Sequence, residues 1–123
     1  MITIYHNPRC SKSRETLALL EQYAAAQQEE LHIVDYQKTP LNLVQLQTLL
    51  AELGGDVQQM LRPNEDAYKA ENLAQADTTT ALSALLKAPL LLQRPIVSYR
   101  GKAMIGRPPE QVLGLFPKVS DHE

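Results

Sequence analysis

The sequence predicts an α/β fold, a four-stranded mixed sheet with an all-helical insertion between its halves. Three observations lead there. The chain opens as strand, helix, strand. Leucines then recur at spacings of three and four through its middle, and two short β-rich runs meet at Gly101 near its end. At 123 residues one domain is expected over 1–123, with the insertion over about 39–88.

Ile2-Thr3-Ile4-Tyr5 is β-branched and aromatic, the make-up of a buried strand. Pro8 breaks it, because proline lacks an N–H and pushes Asn7 away from helical angles. From about Ser11 the period turns helical, with Leu17, Leu20 and Ala24 on one face. Leu31 to Tyr36 is a second strand. If it pairs in parallel with the first, the crossover should be right-handed. Thr39-Pro40 opens the insertion, where Leu43, Leu46, Leu50 and Leu53 mark a helix that Gly54-Gly55 stops. Asp56 can cap a short turn through Leu61, and Arg62-Pro63-Asn64 breaks the chain again. Asp77 and Thr78 to Thr80 offer caps for a helix carrying Leu82, Leu85 and Leu86, ended before Pro89. Ile96 to Tyr99 and Lys102 to Ile105 read as a hairpin with glycine in its turn, and Pro108-Pro109 opens a closing helix with Val112, Leu113 and Phe116. The order is that of a thioredoxin-like domain with a helical insertion.

The chain is 44% hydrophobic and 21% charged, as ordinary globular domains are. Its net charge of −2 argues against holding nucleic acid by bulk charge. One cysteine excludes an internal disulfide framework and a zinc site built on several thiolates, and neither a metal nor a tightly bound cofactor is expected. No apolar run approaches ~18 residues and no charged n-region precedes one, so neither a membrane span nor secretion is indicated. A reducing cytoplasm, where a free thiol persists, is the expected compartment. Charge is uneven along the chain: acids dominate from Glu29 to Leu86 and bases from Lys87 to Lys118. Solvated helix faces and an anion site in the last third both fit that asymmetry.

Cys10 falls where the first strand gives way to the first helix. A thiol there meets unpaired backbone N–H groups and the positive end of the helix dipole, both favouring thiolate. Arg9, Lys12 and Arg14 add positive charge, and His6 can offer the sulfur a hydrogen bond or a charge. Such surroundings lower a thiol pKa from ~8.5 toward neutrality. Ser13 stands where a dithiol motif has its second cysteine, so any adduct on Cys10 must be resolved by an external thiol. Arg94 precedes Pro95 just before a strand, where an X-Pro bond can be cis and bring the loop beside the cysteine. Arg94 and Arg107 flank the hairpin, and Arg62 sits at a break in the insertion. Guanidinium groups offer paired donors that match tetrahedral oxyanions. Spacing alone does not bring the three together.

Tyr5-His6-Asn7-Pro8-Arg9-Cys10-Ser11-Lys12-Ser13-Arg14 resembles the cysteine loop of the glutaredoxin-dependent arsenate reductases. Leu61-Arg62-Pro63-Asn64 followed by Tyr68 is similar to that family's arginine in the helical insertion. Gln93-Arg94-Pro95-Ile96-Val97 resembles its arginine and cis-proline, and Gly106-Arg107-Pro108 its third arginine position. The resemblance runs in order along essentially the whole chain. It implies arsenate as substrate and Cys10 as the nucleophile of a covalent thiol–arsenate adduct. It further implies that Arg62, Arg94 and Arg107 hold the oxyanion and that His6 helps keep Cys10 ionised. Glutathione is then the co-substrate, glutaredoxin the partner that takes the mixed disulfide, and a monomer is expected. Two other classes share the fold. Thioredoxin-like regulators that bind RNA polymerase usually carry a Cys-x-x-Cys switch, absent here. A monothiol glutathione-dependent oxidoreductase needs glutathione contacts but no cluster of arginines.

Overall fold

The computed structural model describes residues 1–117. Lys118 of the basic segment, and the end of the domain expected over 1–123, lie outside the described residues. The strands are β1 (Ile2–His6), β2 (Leu31–Asp35), β3 (Ile96–Tyr99) and β4 (Lys102–Ile105), and the helices α1 (Ser11–Gln27), α2 (Leu43–Glu52), α3 (Asp66–Ala70) and α4 (Thr78–Lys87). The sheet has the order β2-β1-β3-β4, with β1 and β2 parallel and the other two pairs antiparallel. This is the mixed sheet that the sequence predicts.

Alternation along the strands sorts the core into two layers. Ile2 and Ile4 of β1 face Leu20 and Ala24 of α1, and Val97, Tyr99, Val112 and Phe116 complete that layer. On the opposite face Ile96 and Ala103 meet the insertion, through Leu46 and Leu49 of α2 and Leu82 and Leu85 of α4. Period-2 strands covered by apolar helix stripes on both faces produce these two layers. α1 turns slightly from its expected face. Ser13, Thr16, Leu20 and Ala24 are buried while Leu17 is only half-buried, so polar Ser13 and Thr16 enter the interior where α1 passes the cysteine loop. The strand at 31–36 ends one residue early, at Asp35, and lies on the sheet edge with Ile33 45% exposed.

Local chemistry sets most boundaries. α2 starts three residues after Pro40. Asn42 and Gln45 form a reciprocal capping box there, with both hydrogen bonds at 2.8 Å. Asp77 caps α4 through the N–H of Thr80 at 2.8 Å, and Asp56 caps the 3-10 turn Val57–Met60. The insertion also holds α3 and a further 3-10 turn, Leu73–Gln75, and another, Pro89–Leu91, follows it. In the hairpin, Arg100 and Gly101 take φ of 50° and 81°, the pair of left-handed residues that a tight two-residue turn requires. The closing helix is not an α-helix. Pro109–Leu115 forms a 3-10 helix, because the prolines at 108 and 109 remove donors at its start and Phe116 is pinned against two rings at its end. Phe116 stacks on Tyr23 at 4.2 Å and meets the edge of Tyr99 at 5.0 Å.

Candidate active site

The loop after β1 is held by its own side chains. Asn7 Oδ1 accepts from the N–H of Arg9, and the N–H of Cys10 donates to the carbonyl of Asn7, both at 3.0 Å. Ser13 is fully buried, and its hydroxyl oxygen accepts from the N–H of Asn7 at 3.0 Å and lies 2.8 Å from His6 Nδ1. Arg14 donates to the carbonyl of Pro8 at 3.0 Å, closing the loop from outside. These bonds leave Cys10 at the N-cap of α1 in extended geometry (φ −97°), with its sulfur facing the unpaired first turn of the helix.

Partial burial pushes the Cys10 pKa up. Against it act hydrogen bonds from the N–H groups of Ser13 and Lys12, the Arg107 charge and a hydrogen bond from Arg94, and together they hold the thiol below its ordinary value. The arrangement favours the thiolate form of Cys10.

Two arginines from distant parts of the chain meet this sulfur, and a third adds its charge to the site. Arg107 places Nη2 3.6 Å from Cys10 Sγ while its Nε donates to the carbonyl of Arg94 at 2.8 Å. Arg94 is nearly buried and donates through Nη1 to the carbonyl of Leu90 at 3.0 Å. Arg62 is carried in by a short bridge between Leu61 and Leu92, with its N–H donating to the carbonyl of Leu91 at 2.8 Å. Burial lowers the Arg62 pKa first, and the charges of Arg94 and Arg107 lower it further, opposed by Glu65 and Cys10. All four side chains therefore share one electrostatic site. Two buried donors there, Arg94 Nε and the Tyr36 hydroxyl, have no hydrogen-bond partner among the described residues. The bonds Arg94–Pro95 and Arg107–Pro108 are both cis.

The chain belongs to the ArsC family. The family's model matches residues 5–115, so it takes in the cysteine loop and all three arginines. Uncharacterized protein YfgD of Escherichia coli K12 is 46% identical over 91% of this chain and 93% of its own length. An arsenate reductase of Haemophilus influenzae is 44% identical, covering 94% and 98%. Among solved structures, the arsenate reductase from Vibrio cholerae superposes with a TM-score of 0.84 at 42% identity, over 94% of this chain and 97% of that one.

In this ArsC chain His6 has a different partner from the one its sequence position suggests. Its Nδ1 bonds the Ser13 hydroxyl rather than the sulfur. Burial is the main cause of a lowered His6 pKa; Arg14 lowers it too, while Asp35 and Glu21 act the other way. The ring is therefore neutral at pH 7 and orders the loop. Sequence reasoning treats Ser13 only as a missing cysteine and does not single out Asn7, Tyr36 or Gly106. The Asn-Pro pair was the available signal for Asn7, since Asn stabilises turns through its own side chain. Gly106 is the tightest point of the site. A Cβ there would lie 2.5 Å from Thr16 Oγ1 and 2.8 Å from Pro95 Cγ, so only glycine lets the Arg107 loop sit this close to α1. Its N–H donates to the carbonyl of Pro95 at 2.9 Å, which fixes where Arg107 begins. No cluster of three or more His, Cys, Asp or Glu side chains suited to a metal ion occurs among the described residues, and no described helix is long and apolar enough to cross a membrane.

Proposed function

We propose that this protein is an arsenate reductase that uses glutathione as co-substrate and glutaredoxin as partner, working as a monomer in a reducing cytoplasm with no tightly bound cofactor. The observation that carries this reading is the Arg107 guanidinium 3.6 Å from Cys10 Sγ, with Arg94 hydrogen-bonding the same sulfur and Arg62, paired with Glu65 at 3.5 Å, close enough to feel the charge of all three. A lone nucleophilic thiolate inside a cluster of planar cations suits attack on a tetrahedral oxyanion. The family relatives named arsenate reductase support the choice of arsenate among such anions.

Cys10 Sγ attacks arsenic and an arsenate oxygen leaves as water, forming a sulfur–arsenic(V) bond. Arg94 and Arg107 hold the remaining oxygens, and Arg62 balances the charge from the insertion side. The thiol of glutathione then attacks Cys10 Sγ. A disulfide forms, the sulfur–arsenic bond breaks with its electron pair passing to arsenic, and the thiol proton goes to the departing arsenite. A glutaredoxin thiolate attacks the glutathione sulfur and releases Cys10 as thiolate. The external thiol is needed because Ser13 cannot serve as a resolving cysteine.

Purified protein with arsenate, glutathione, glutaredoxin, NADPH and glutathione reductase should form arsenite in step with NADPH loss. Thioredoxin with its reductase should support no turnover. Sustained turnover with thioredoxin alone contradicts the mechanism, and silence in both systems contradicts the activity.

A further inference from the structure

A cavity opens beside the cysteine loop, on the side of β2. It encloses about 440 Å³ and is bounded by Asn7 and Arg9 of the loop, Asp35 at the end of β2, Gln37 and Lys38 beyond it, and Leu90 before Arg94. That volume lies within the ~300–1,000 Å³ that small-molecule sites occupy. Arg9 and Lys38 are exposed cations, and Asp35 is their one acidic counterpart. The Asp35 carboxylate is fixed in direction, because its Oδ1 accepts from the N–H groups of Gln37 and Lys38 at 3.1 and 3.4 Å. Leu90, 49% exposed, supplies an apolar wall and passes its carbonyl to Arg94, joining the groove to the anion site.

We propose that this groove is the glutathione site, an assignment that rests on the glutathione-dependent reading above. Two cations and one carboxylate are the charge complement of a tripeptide that carries two carboxylates and one ammonium. Lys38 and Arg9 take the two carboxylates, Asp35 takes the γ-glutamyl ammonium, and the amides of Asn7 and Gln37 face the peptide groups. Arg9 adjoins Cys10 in sequence, so the groove borders the cysteine loop, and a tripeptide held by its two end carboxylates leaves its central cysteinyl thiol to turn toward Cys10. The site selects the reductant, whereas the three arginines select the oxyanion.

Two measurements test this without arsenate or glutaredoxin. The first titrates 15N-labelled protein with S-methylglutathione, which cannot exchange disulfides. Saturable shifts should centre on Asn7, Arg9, Gln37, Lys38 and Leu90, and Arg9→Glu with Lys38→Glu should weaken binding about five- to tenfold, less at high salt, since exposed pairs are individually weak. Absent shifts, shifts centred elsewhere, or unchanged affinity in the double variant overturn the proposal. The second compares Cys10 exchange with oxidised glutathione and with uncharged 2-hydroxyethyl disulfide. The ratio of the two rate constants cancels any change in thiolate reactivity and should fall about five- to tenfold in the same variant. A constant ratio overturns the assignment. If arsenite is never formed but both results hold, the groove stands and the arsenate reading falls; if arsenite forms with glutathione and neither holds, the reverse.

Discussion

The two halves of the active site are built in opposite ways. The thiol half is local: every bond that shapes it joins residues within seven positions of each other, from His6 and Ser13 to Arg14 and Pro8. The arginine half is assembled across the chain. Arg107 reaches a carbonyl 13 residues back and a sulfur 97 residues back, and Arg62 depends on a two-residue bridge to Leu91 and Leu92. A nucleophile written into one contiguous turn survives wherever that turn folds. The proposed anion pocket exists only when the insertion, the hairpin and α1 are docked together. The chemistry of activation and the chemistry of recognition can therefore be separated by substitution.

The largest effect should come from the local half. Cys10→Ser should remove arsenate reduction altogether, because the chain offers one thiol, while its melting temperature stays near that of the parent. Substantial turnover in this variant would end the catalytic assignment. In the arginine half, Arg94→Ala and Arg107→Ala should each lower kcat/KM for arsenate about ten- to a hundredfold, the worth of a charge-assisted hydrogen bond of roughly 1.5–3 kcal/mol. Lysine at either position should not restore it, since a point charge lacks the paired donors. Arg107→Ala should also raise the pH midpoint of Cys10 alkylation by iodoacetamide, because its charge is one of the groups holding the thiol pKa down. Wild-type kinetics in both alanine variants would place the anion pocket elsewhere.

Gly106→Ala should break the assembled half without touching an arginine. The added methyl meets Thr16 and Pro95 inside normal contact distance, and such overpacking costs about 1–3 kcal/mol. The Arg107 loop must move away from α1 to relieve it. The variant should therefore show a lower melting temperature together with a raised KM for arsenate. Its iodoacetamide reactivity should fall less than its turnover, because Ser13 and Lys12 still hold the sulfur. Equal loss of both would mean that the two halves are not separable.

The same division decides what could be read from the sequence. The strands, the mixed sheet and the helix stops at Gly54-Gly55 and before Pro89 follow from periods and breakers within short windows. The capping box at Asn42 overrode Pro40 as the start of α2, and two prolines with a pinned Phe116 converted the last helix to 3-10. Cys10 was legible because the Lys12 and Ser13 N–H groups that help hold its pKa down are its neighbours in the chain, whereas the contributions of Arg94 and Arg107 were not. The convergence of Arg62, Arg94 and Arg107 was not, since no local pattern encodes a bridge between Leu61 and Leu92; only the family resemblance grouped them. The tight fit at Gly106 stayed invisible because close approach of its backbone to the Thr16 and Pro95 side chains leaves no periodic trace. His6 shows the limit from the other side. Its closeness to Cys10 in sequence suggested a partner for the sulfur, and a hydroxyl one helical turn further on took its place.

The smallest expected effect concerns that histidine. Burial lowers the His6 pKa in the folded chain below the value of ~6.5 that it has when unfolded. Above that value both states hold the ring neutral and the histidine adds no pH dependence. As pH falls below it, the unfolded chain takes up the proton first, so stability drops until the folded pKa is passed and then levels off. His6→Gln removes the titration. The melting temperature of the parent should therefore decline more steeply than that of the variant between about pH 6.5 and 5, with the two curves parallel above pH 7. Groups that titrate alike in both proteins cancel in the difference. Parallel curves throughout would mean that the His6 ring is protonated as readily in the folded loop as in the open chain, and its bond to Ser13 would then have to be read as a contact of the imidazolium.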